Sequence, residues 1–341
     1  MYVQHIIRPV KDGEQQLSGR AEKNKLIETV KSGGDDNLRP THRDFVVQIA
    51  IHSMIIFASL IRWQLMARWF TQPWITFPIL WALVCLETLV YQLCFDYVEG
   101  RPRSSWNIKK WLYSCIKPGA VNALVPLLLI PFKFVPSGSI SSMEDVAWSF
   151  IHSVWRVLLF EIGLDIAYYT RHKVWHSNKA FTWIHKRHHS DTGKLHGHLV
   201  TYETYVASWV EEMYIGAIYI WGVMPNSVIG LNWNFLDFAI AQAYMSYGEQ
   251  YIHAGIGEDE NRKETFFSRY GVLYWRLFTN PLNINLTAAD HAAHHKYYSC
   301  NFAKRYNIWD KMFGTYRDFH EKRPFQRKSR TNTNAPLVQA K

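Results

Sequence analysis

Long apolar stretches alternate with short polar and basic segments through the first half of the chain. Residues 46–63 and 73–95 are almost entirely apolar, and each is long enough for a helix that crosses the roughly 30 Å hydrocarbon layer of a bilayer. The short link between them predicts a hairpin of two membrane spans. Residues 119–135 are shorter and contain Pro126 and Pro131, which indicates either a kinked span or a re-entrant segment.

Further apolar stretches follow toward the centre of the chain. Residues 146–169 are long enough to span, although they contain an Arg, a Glu and an Asp, and charges inside a span need a specific role. Residues 209–223 and 236–251 are separated by Pro225 and Asn226 and predict a hairpin that dips into the membrane. We therefore predict an all-α, integral-membrane helical bundle with four to six membrane segments.

Basic residues are concentrated on one side of these predicted spans. The segment 99–118 is rich in Lys and Arg, whereas 136–145 has neither, so the positive-inside rule places 99–118 in the cytoplasm. Counting spans then places the N-terminus, 171–205 and the C-terminal region on the same side. In this orientation the sequon Asn285-Leu-Thr faces the cytoplasm and is expected to remain unglycosylated.

Composition excludes several classes of protein. The chain has 48% hydrophobic and 19% charged residues, a balance that excludes a disordered protein. The formal net charge is +10, but the basic residues lie between apolar stretches, which favours an anionic membrane surface over nucleic acid as the partner. The four cysteines form no CxxC motif, and disulfides are not expected to organise the fold.

Histidines carry the most specific signal in the sequence. The motif HKVWH places two of them one helical turn apart, and HKRHH and HAAHH both have the spacing i, i+3, i+4, which brings three imidazoles to one side of a helix. One further candidate, His253, follows the last apolar stretch and precedes Ala-Gly. The candidate metal ligands are His172, His176, His185, His188, His189, His253, His291, His294 and His295.

Nine imidazoles exceed the needs of a single ion. Neutral imidazole binds iron, zinc and copper, and one ion takes three or four protein ligands, so nine imidazoles suit two neighbouring ions. Too few residues separate the first two clusters to cross a bilayer, and residues 253–291 are polar and non-spanning. The clusters are therefore predicted to meet in one cytoplasmic, histidine-rich di-metal cap at the ends of the spans.

In these motifs the chain resembles the integral-membrane fatty acid hydroxylase and sterol desaturase superfamily, whose members are histidine-cluster di-iron oxygenases. The resemblance covers about residues 165–315. It extends beyond the histidines to 301–303 (Asn-Phe-Ala) and 309–315 (WDKMFGT), which are close to the family patterns N-Y-G and W-D-x-x-F-G-T. Many members have His-Pro before a Glu after the second cluster, whereas this chain has Ala-Ser-Trp-Val-Glu at 207–211, and the candidates to replace the missing histidine are His196 and His198.

The resemblance implies a division of the chain into four parts. Residues 1–45 are a polar lead-in, 46–135 carry the N-terminal membrane spans, 136–319 form a fatty acid hydroxylase-like catalytic domain, and 320–341 are a basic tail. It also implies a location in the endoplasmic reticulum membrane, with the metal site facing the cytoplasm.

The resemblance further implies two iron ions that activate O₂ and oxidise an unactivated C–H bond of a lipid drawn from the bilayer, whether sterol, sphingoid or fatty acyl. The electrons would come from NADPH through cytochrome b5 or a reductase, because the chain has no dinucleotide or haem-binding motif. Carboxylates commonly orient the imidazoles of a metal site. The candidates here, from helical spacing or adjacency to a candidate ligand, are Asp165, Glu249 and Asp290.

Two other functions remain open beside lipid hydroxylation. Desaturation of a lipid or sterol uses the same centre, because the same oxidant can remove a second hydrogen, and ligand motifs do not separate the two outcomes. A histidine-rich metal transporter or sensor is the other alternative. It would need ligands inside the spans along a pathway, whereas these clusters lie in polar stretches that flank the spans.

Overall fold

The computed structural model describes residues 38–66, 72–101, 107–129, 140–191, 199–211, 233–257 and 265–319, with isolated residues between 213 and 228. In this part of the chain all named secondary-structure elements are helices, and an isolated β-bridge pairs Asn285 with Tyr306. The all-α prediction is therefore confirmed for the described residues. Most of the polar lead-in, the basic tail and much of the predicted 209–223 segment lie outside them.

Nine α-helices and one 3₁₀ helix are named within the described residues. The first five are α1 (His42–Met66), α2 (Pro73–Val98), α3 (Ile108–Leu129), α4 (Met143–Ser177) and α5 (Thr182–Asp191). A 3₁₀ helix follows at Thr201–Tyr205, and the others are α6 (Phe235–Ile252), α7 (Phe266–Tyr270), α8 (Ala288–Tyr297) and α9 (Asn307–Met312).

Local sequence determines where several of these helices begin. In a capping box, a side-chain oxygen of the residue before the helix accepts from a backbone N–H of the first turn. A side chain in that turn accepts in return from the backbone N–H of the residue before the helix, so two free N–H groups are satisfied. Such boxes start α4 at Ser142 with Asp145 and α6 at Asn234 with Asp237. Helix α8, which carries the third histidine cluster, begins in the same way at Thr287.

Helix α6 forms the core of the bundle and is buried along almost its entire length. At its start, the Asn234 side-chain amide donates to the Ser149 hydroxyl near the start of α4 at 2.9 Å. At its other end, Arg101, which follows α2, donates to the carbonyl oxygens of Ala254 and Gly255 at 3.0 Å each. The starts of α4 and α6 therefore lie together, and α2 ends at the same level of the bundle as α6.

Two helices of the described part are long and apolar enough to cross a membrane, at His42–Met66 and Trp74–Val98. They coincide with the first two predicted spans. A buried ion pair joins them, because Arg62 lies 2.8 Å from both carboxylate oxygens of Glu87 and the two side chains are 1% and 0% exposed. Ser246 of α6 donates to the same carboxylate at 3.0 Å. Pairing of this kind lets charges occupy an apolar bundle.

The charges predicted to need a role in the 146–169 stretch all have partners inside the bundle. Arg156 forms an ion pair with Asp237 of α6. Glu161 accepts a hydrogen bond from the Tyr306 hydroxyl at 2.7 Å, and Asp165 accepts from the backbone of residues 304–306. The charged side chains of α4 thus bind α6 and the loop that precedes α9.

Candidate metal centre

The structure brings all nine predicted histidines together, although they come from four separate segments. Two lie at the end of α4, three on α5, one directly after α6 and three on α8. In each of two groups the candidate ligand atoms lie within 4.8 Å of one another. The first group is His172, His176, His185, His189 and His294, and the second group is His188, His253, His291 and His295.

Each HxxHH motif is divided between the two groups in the same way. On α5 the first and last histidines, His185 and His189, join the first group, and His188 joins the second. On α8 the first and last, His291 and His295, join the second group, and the middle histidine joins the first. Each residue advances about 100° around the helix axis. Seen along this axis, residue i+4 therefore lies about 40° to one side of residue i, and residue i+3 lies about 60° to the other side. One helix therefore serves two adjacent sites.

The tips of the imidazoles converge within each group. The Nε2 atom of His189 lies 3.0–3.1 Å from the Nε2 atoms of His176, His185 and His294. In the second group, Nε2 of His253 lies 3.0 Å from that of His188 and 3.1 Å from that of His291. One N–H can donate to only one acceptor, so hydrogen bonding does not explain three such neighbours. Two ligands about 2.1 Å from one ion at 90° lie about 3.0 Å apart, which these distances match.

Hydrogen bonds to backbone carbonyls determine which ring nitrogen faces the group. A carbonyl only accepts, so a histidine Nδ1 bound to one carries the proton and leaves the Nε2 lone pair free for a metal. His172 donates in this way to the Phe302 carbonyl at 2.8 Å, and His253 donates to that of Glu249 at 2.8 Å. His294 donates to the carbonyl oxygen of Cys300 at 2.7 Å.

Burial keeps the candidate ligands neutral. Desolvation lowers the pKa of all nine imidazoles from their ordinary value near 6.5, and for most of them neighbouring positive charge lowers it further. For His176 and His253 the pKa falls to about 4. At neutral pH these side chains are therefore unprotonated, which is the form that binds a metal ion.

Glu211 is the carboxylate that contacts an imidazole of the first group. Its Oε1 accepts from His185 Nδ1 at 2.6 Å, and both side chains are 4% exposed. The backbone N–H of Glu211 donates to the Ser208 hydroxyl at 3.1 Å. Spacing along the chain did not suggest this pair, because 26 residues separate the partners. The family pattern could have indicated Glu211, because many members have a Glu after His-Pro at this place. Residues 207–211 keep this Glu although they lack the histidine.

The three carboxylates that sequence spacing suggested contact other groups. Asp165 is fully buried and accepts from the backbone N–H groups of residues 304–306 at 2.8–3.0 Å. The Glu249 side chain pairs with Lys304 and, at 2.8 Å, with Arg305, and only its backbone carbonyl binds an imidazole. Asp290 caps the start of α8. Their effect on the histidines is therefore indirect.

The two motifs after the last cluster bind each other. Asp310 of the WDKMFGT segment accepts from the backbone N–H groups of Phe302 and Ala303 at 2.8 and 2.9 Å and from the Thr315 hydroxyl at 2.6 Å. Asn301 adopts a positive φ of 52°, and its amide donates to the Asp290 carbonyl at 2.7 Å. Together these bonds hold the loop whose Phe302 carbonyl orients His172.

The sequence also singles out His196, His198 and Asn285. His196 and His198, the candidates to replace the missing family histidine, lie outside the described residues. Asn285 of the sequon is only 7% exposed, and its side-chain amide donates to Asn280 at 2.6 Å. Asn285 is therefore buried in the folded chain, and its expected lack of a glycan stays a prediction.

A cleft with a cavity volume of about 50 Å³ leads to the second group. Its walls come from α3, α4, α6 and the 3₁₀ helix and include Val121, Tyr205 and Ala207. His188 and His253 line it as well, so the cleft opens directly onto two candidate ligands. The structure therefore places an accessible space next to one of the two histidine groups.

Replacing Glu211 by glutamine is expected to weaken metal binding in the first group by about 10- to 100-fold, the usual cost of losing a partner that orients a ligand. The amide is nearly isosteric but lacks the charge that holds the His185 tautomer. Metal titration of the apo-protein would measure the effect. Glu144→Gln, at an exposed position in the first turn of α4, is the matched control. Equal affinity in both variants would contradict a role for Glu211.

Comparison with known proteins agrees with this geometry. Residues 157–315 match the model of the fatty acid hydroxylase family, and this range contains all nine histidines. A fatty acid hydroxylase of a Lecanicillium species, vlmA, is 24% identical over 202 residues, which are 55% of this chain and 48% of that protein. The chain therefore spans about half the length of this curated relative. No solved structure matches the chain. The predicted resemblance to the superfamily is confirmed.

Proposed function

We propose that this chain, whose residues 157–315 belong to the fatty acid hydroxylase family, is a membrane-bound oxygenase that hydroxylates an unactivated C–H bond of a lipid. The family implies an oxidoreductase, and the two apolar helices favour membrane association. The observation that carries the proposal is the pair of adjacent all-imidazole groups, one of which borders a cleft. The substrate would be a sterol, a sphingoid or a fatty acyl lipid.

The donor set fits two redox-active ions, for which iron is our proposal. The two groups are adjacent, since the rings of His189 and His295, one from each group, have centroids 4.5 Å apart. The ring centroids of His185 and His188, again one from each group, are 5.1 Å apart. Neutral nitrogen ligands suit iron, zinc or copper, and of these iron and copper exchange electrons. When bound, iron would supply the reduction of O₂ and the oxidation of the lipid carbon.

The chain's own residues would bring the substrate to that centre and exclude water from it. A lipid chain would enter along the wall formed by Val121, Tyr205 and Ala207, and its reacting carbon would then lie beside His188 and His253. The second-group histidines are almost all buried, and a site closed to water protects a reactive oxidant from side reactions. Glu211 would keep the His185 lone pair directed at the first group.

Charge at the inner part of the cleft is balanced. Lys304 and Glu249 both line it and form an ion pair with each other. The Lys304 ammonium also lies 4.4 Å from the centre of the Tyr168 ring. Because the positive charge is already neutralised, this wall suits the uncharged part of a lipid rather than an anionic head group.

Electrons would come from NADPH through cytochrome b5 or a reductase, at an endoplasmic reticulum membrane with the site facing the cytoplasm. Hydroxylation with O₂ consumes two electrons and two protons and releases water, so an external donor must dock close to the histidines. Lys179 and Lys186 are exposed on and beside α5 and offer positive charge to an acidic donor.

Comparing lipids from cells that express the chain with lipids from cells that express His188→Ala would test this proposal and identify the substrate. We expect a lipid that carries one added oxygen only with the intact chain. A product that has instead lost two hydrogens would favour desaturation. Identical lipid profiles in a cell that supplies iron and reductase would contradict both functions.

A further inference from the structure

The segment 273–282, between α7 and α8, exposes most of its apolar side chains and buries its charged and hydroxyl side chains. Arg276 and Thr279 are 2% and 3% exposed. Leu277, Phe278 and Leu282 are 58%, 51% and 66% exposed, and Leu273 and Tyr274 are exposed on the same side. A surface in water shows the opposite distribution, and a contiguous exposed apolar patch marks a contact with something else. We call these five exposed residues the 273–282 surface.

Hydrogen bonds within the segment satisfy five of its backbone N–H groups. Successive turns join Arg276 N–H to the Leu273 carbonyl at 3.2 Å, Thr279 to Arg276 at 3.1 Å, and Leu282 to Thr279 at 3.2 Å. Backbone groups that enter a hydrocarbon layer must be paired in this way, because no water is present to bind them. These turns therefore lower the cost of placing the segment in contact with lipid.

The polar tips of its aromatic residues are also turned toward protein. The Tyr274 hydroxyl donates to the Phe150 carbonyl of α4 at 2.7 Å, and the Trp275 indole N–H donates to the Ser153 hydroxyl at 3.0 Å. The Trp275 ring stacks on His52 of α1, with centroids 5.5 Å apart. The segment is thus fixed against α1 and α4, and its outward side is left with apolar groups.

The neighbouring face of α1 is apolar and exposed in the same manner. Phe45, Ile49 and Ile56 are 62%, 53% and 40% exposed, and they lie on a helix that is long and apolar enough to span a membrane. Gln48, on the same helix, donates to the Gly271 carbonyl and so brings the two surfaces together. Continuity between them indicates that both contact the same medium.

We infer that the 273–282 surface is embedded in the hydrocarbon of the bilayer beside α1. The segment is too short to cross a membrane, so it enters one side only, next to the start of α1. The 253–291 region, which the sequence predicted to be polar and non-spanning, therefore makes an additional membrane contact. Such a patch could also bind a second copy of the chain, and the experiment distinguishes contact with lipid from contact with a second copy.

A fluorescent label at Phe278→Cys tests this inference in the full chain reconstituted into phosphatidylcholine vesicles. We expect quenchers attached to the lipid chains to quench this label several-fold more strongly than aqueous iodide does. Lys179→Cys, at an exposed polar position, is the control and should show the reverse order. Leu282→Cys provides a second patch position if Phe278→Cys folds poorly. Cys85, Cys115 and Cys300 are buried, and labelling of the unmodified chain gives the background.

Two outcomes would overturn the inference. Iodide quenching of Phe278→Cys and Leu282→Cys equal to that of Lys179→Cys would place the surface in water. Protection from iodide without lipid quenching, together with cross-linking between copies through the thiol introduced by Phe278→Cys, would identify a second chain as the occupant. Neither readout depends on turnover or bound metal, so the result is independent of the proposed function.

Discussion

Replacing His188 or His294 by alanine is expected to abolish turnover, because each variant removes one imidazole from a different histidine group. The protein purified from iron-supplied cells should hold about two iron atoms per chain, and each variant should hold fewer. His294 donates through Nδ1 to the Cys300 carbonyl and points its Nε2 at the first group, whereas His188 belongs to the second group. Iron content and product formation, measured on the same samples, would check the prediction.

His152→Ala is the matched control for these variants. His152 lies on α4 like two of the candidate ligands, but it packs against Trp148 and Trp155 and belongs to neither group. Its replacement should leave iron content and turnover close to those of the intact chain. A stoichiometry of one zinc, with turnover preserved in His188→Ala or His294→Ala, would contradict a di-iron centre.

Replacing Asp165 by alanine is expected to destabilise the protein by at least about 3 kcal/mol and to reduce its metal content. The change leaves the three backbone N–H groups of residues 304–306 buried without an acceptor, at about 1–3 kcal/mol each. The same loop carries the Phe302 carbonyl that orients His172. Thermal unfolding in detergent and metal analysis would measure the two effects.

Asp165→Asn gives a graded comparison. Two of the three N–H groups bind Oδ1, which an asparagine oxygen can replace, whereas the third binds Oδ2, where asparagine would place an amide donor. We expect its stability to lie between that of the intact chain and that of Asp165→Ala. If both variants unfold at the same temperature as the intact chain, Asp165 does not support the loop.

The histidine spacing predicted the ligand faces because helix geometry alone relates residues i, i+3 and i+4. It did not predict which other segments those faces meet. His185 is paired with Glu211 across 26 residues, and that contact depends on how α5 packs against the chain after the 3₁₀ helix. Asp165 has the helical spacing to support His172, yet its carboxylate meets the 304–306 loop first, because that loop packs directly over α4.

Hydropathy predicted α1 and α2 because most of the residues in both helices are apolar. It was less informative for α4, where Arg156 and Glu161 have partners that only the folded bundle supplies. It missed the 273–282 surface, since exposed and buried positions there alternate in pairs, and an average along the chain does not separate them.

The most direct test of the central claim is the origin of the oxygen atom in the product. The protein, reconstituted in lipid with iron, NADPH, a reductase and cytochrome b5, should convert its lipid into a product that carries one oxygen atom from isotopically labelled O₂. His188→Ala should form none. A product that forms without O₂ and without an electron donor would contradict an oxygenase function for the two histidine groups.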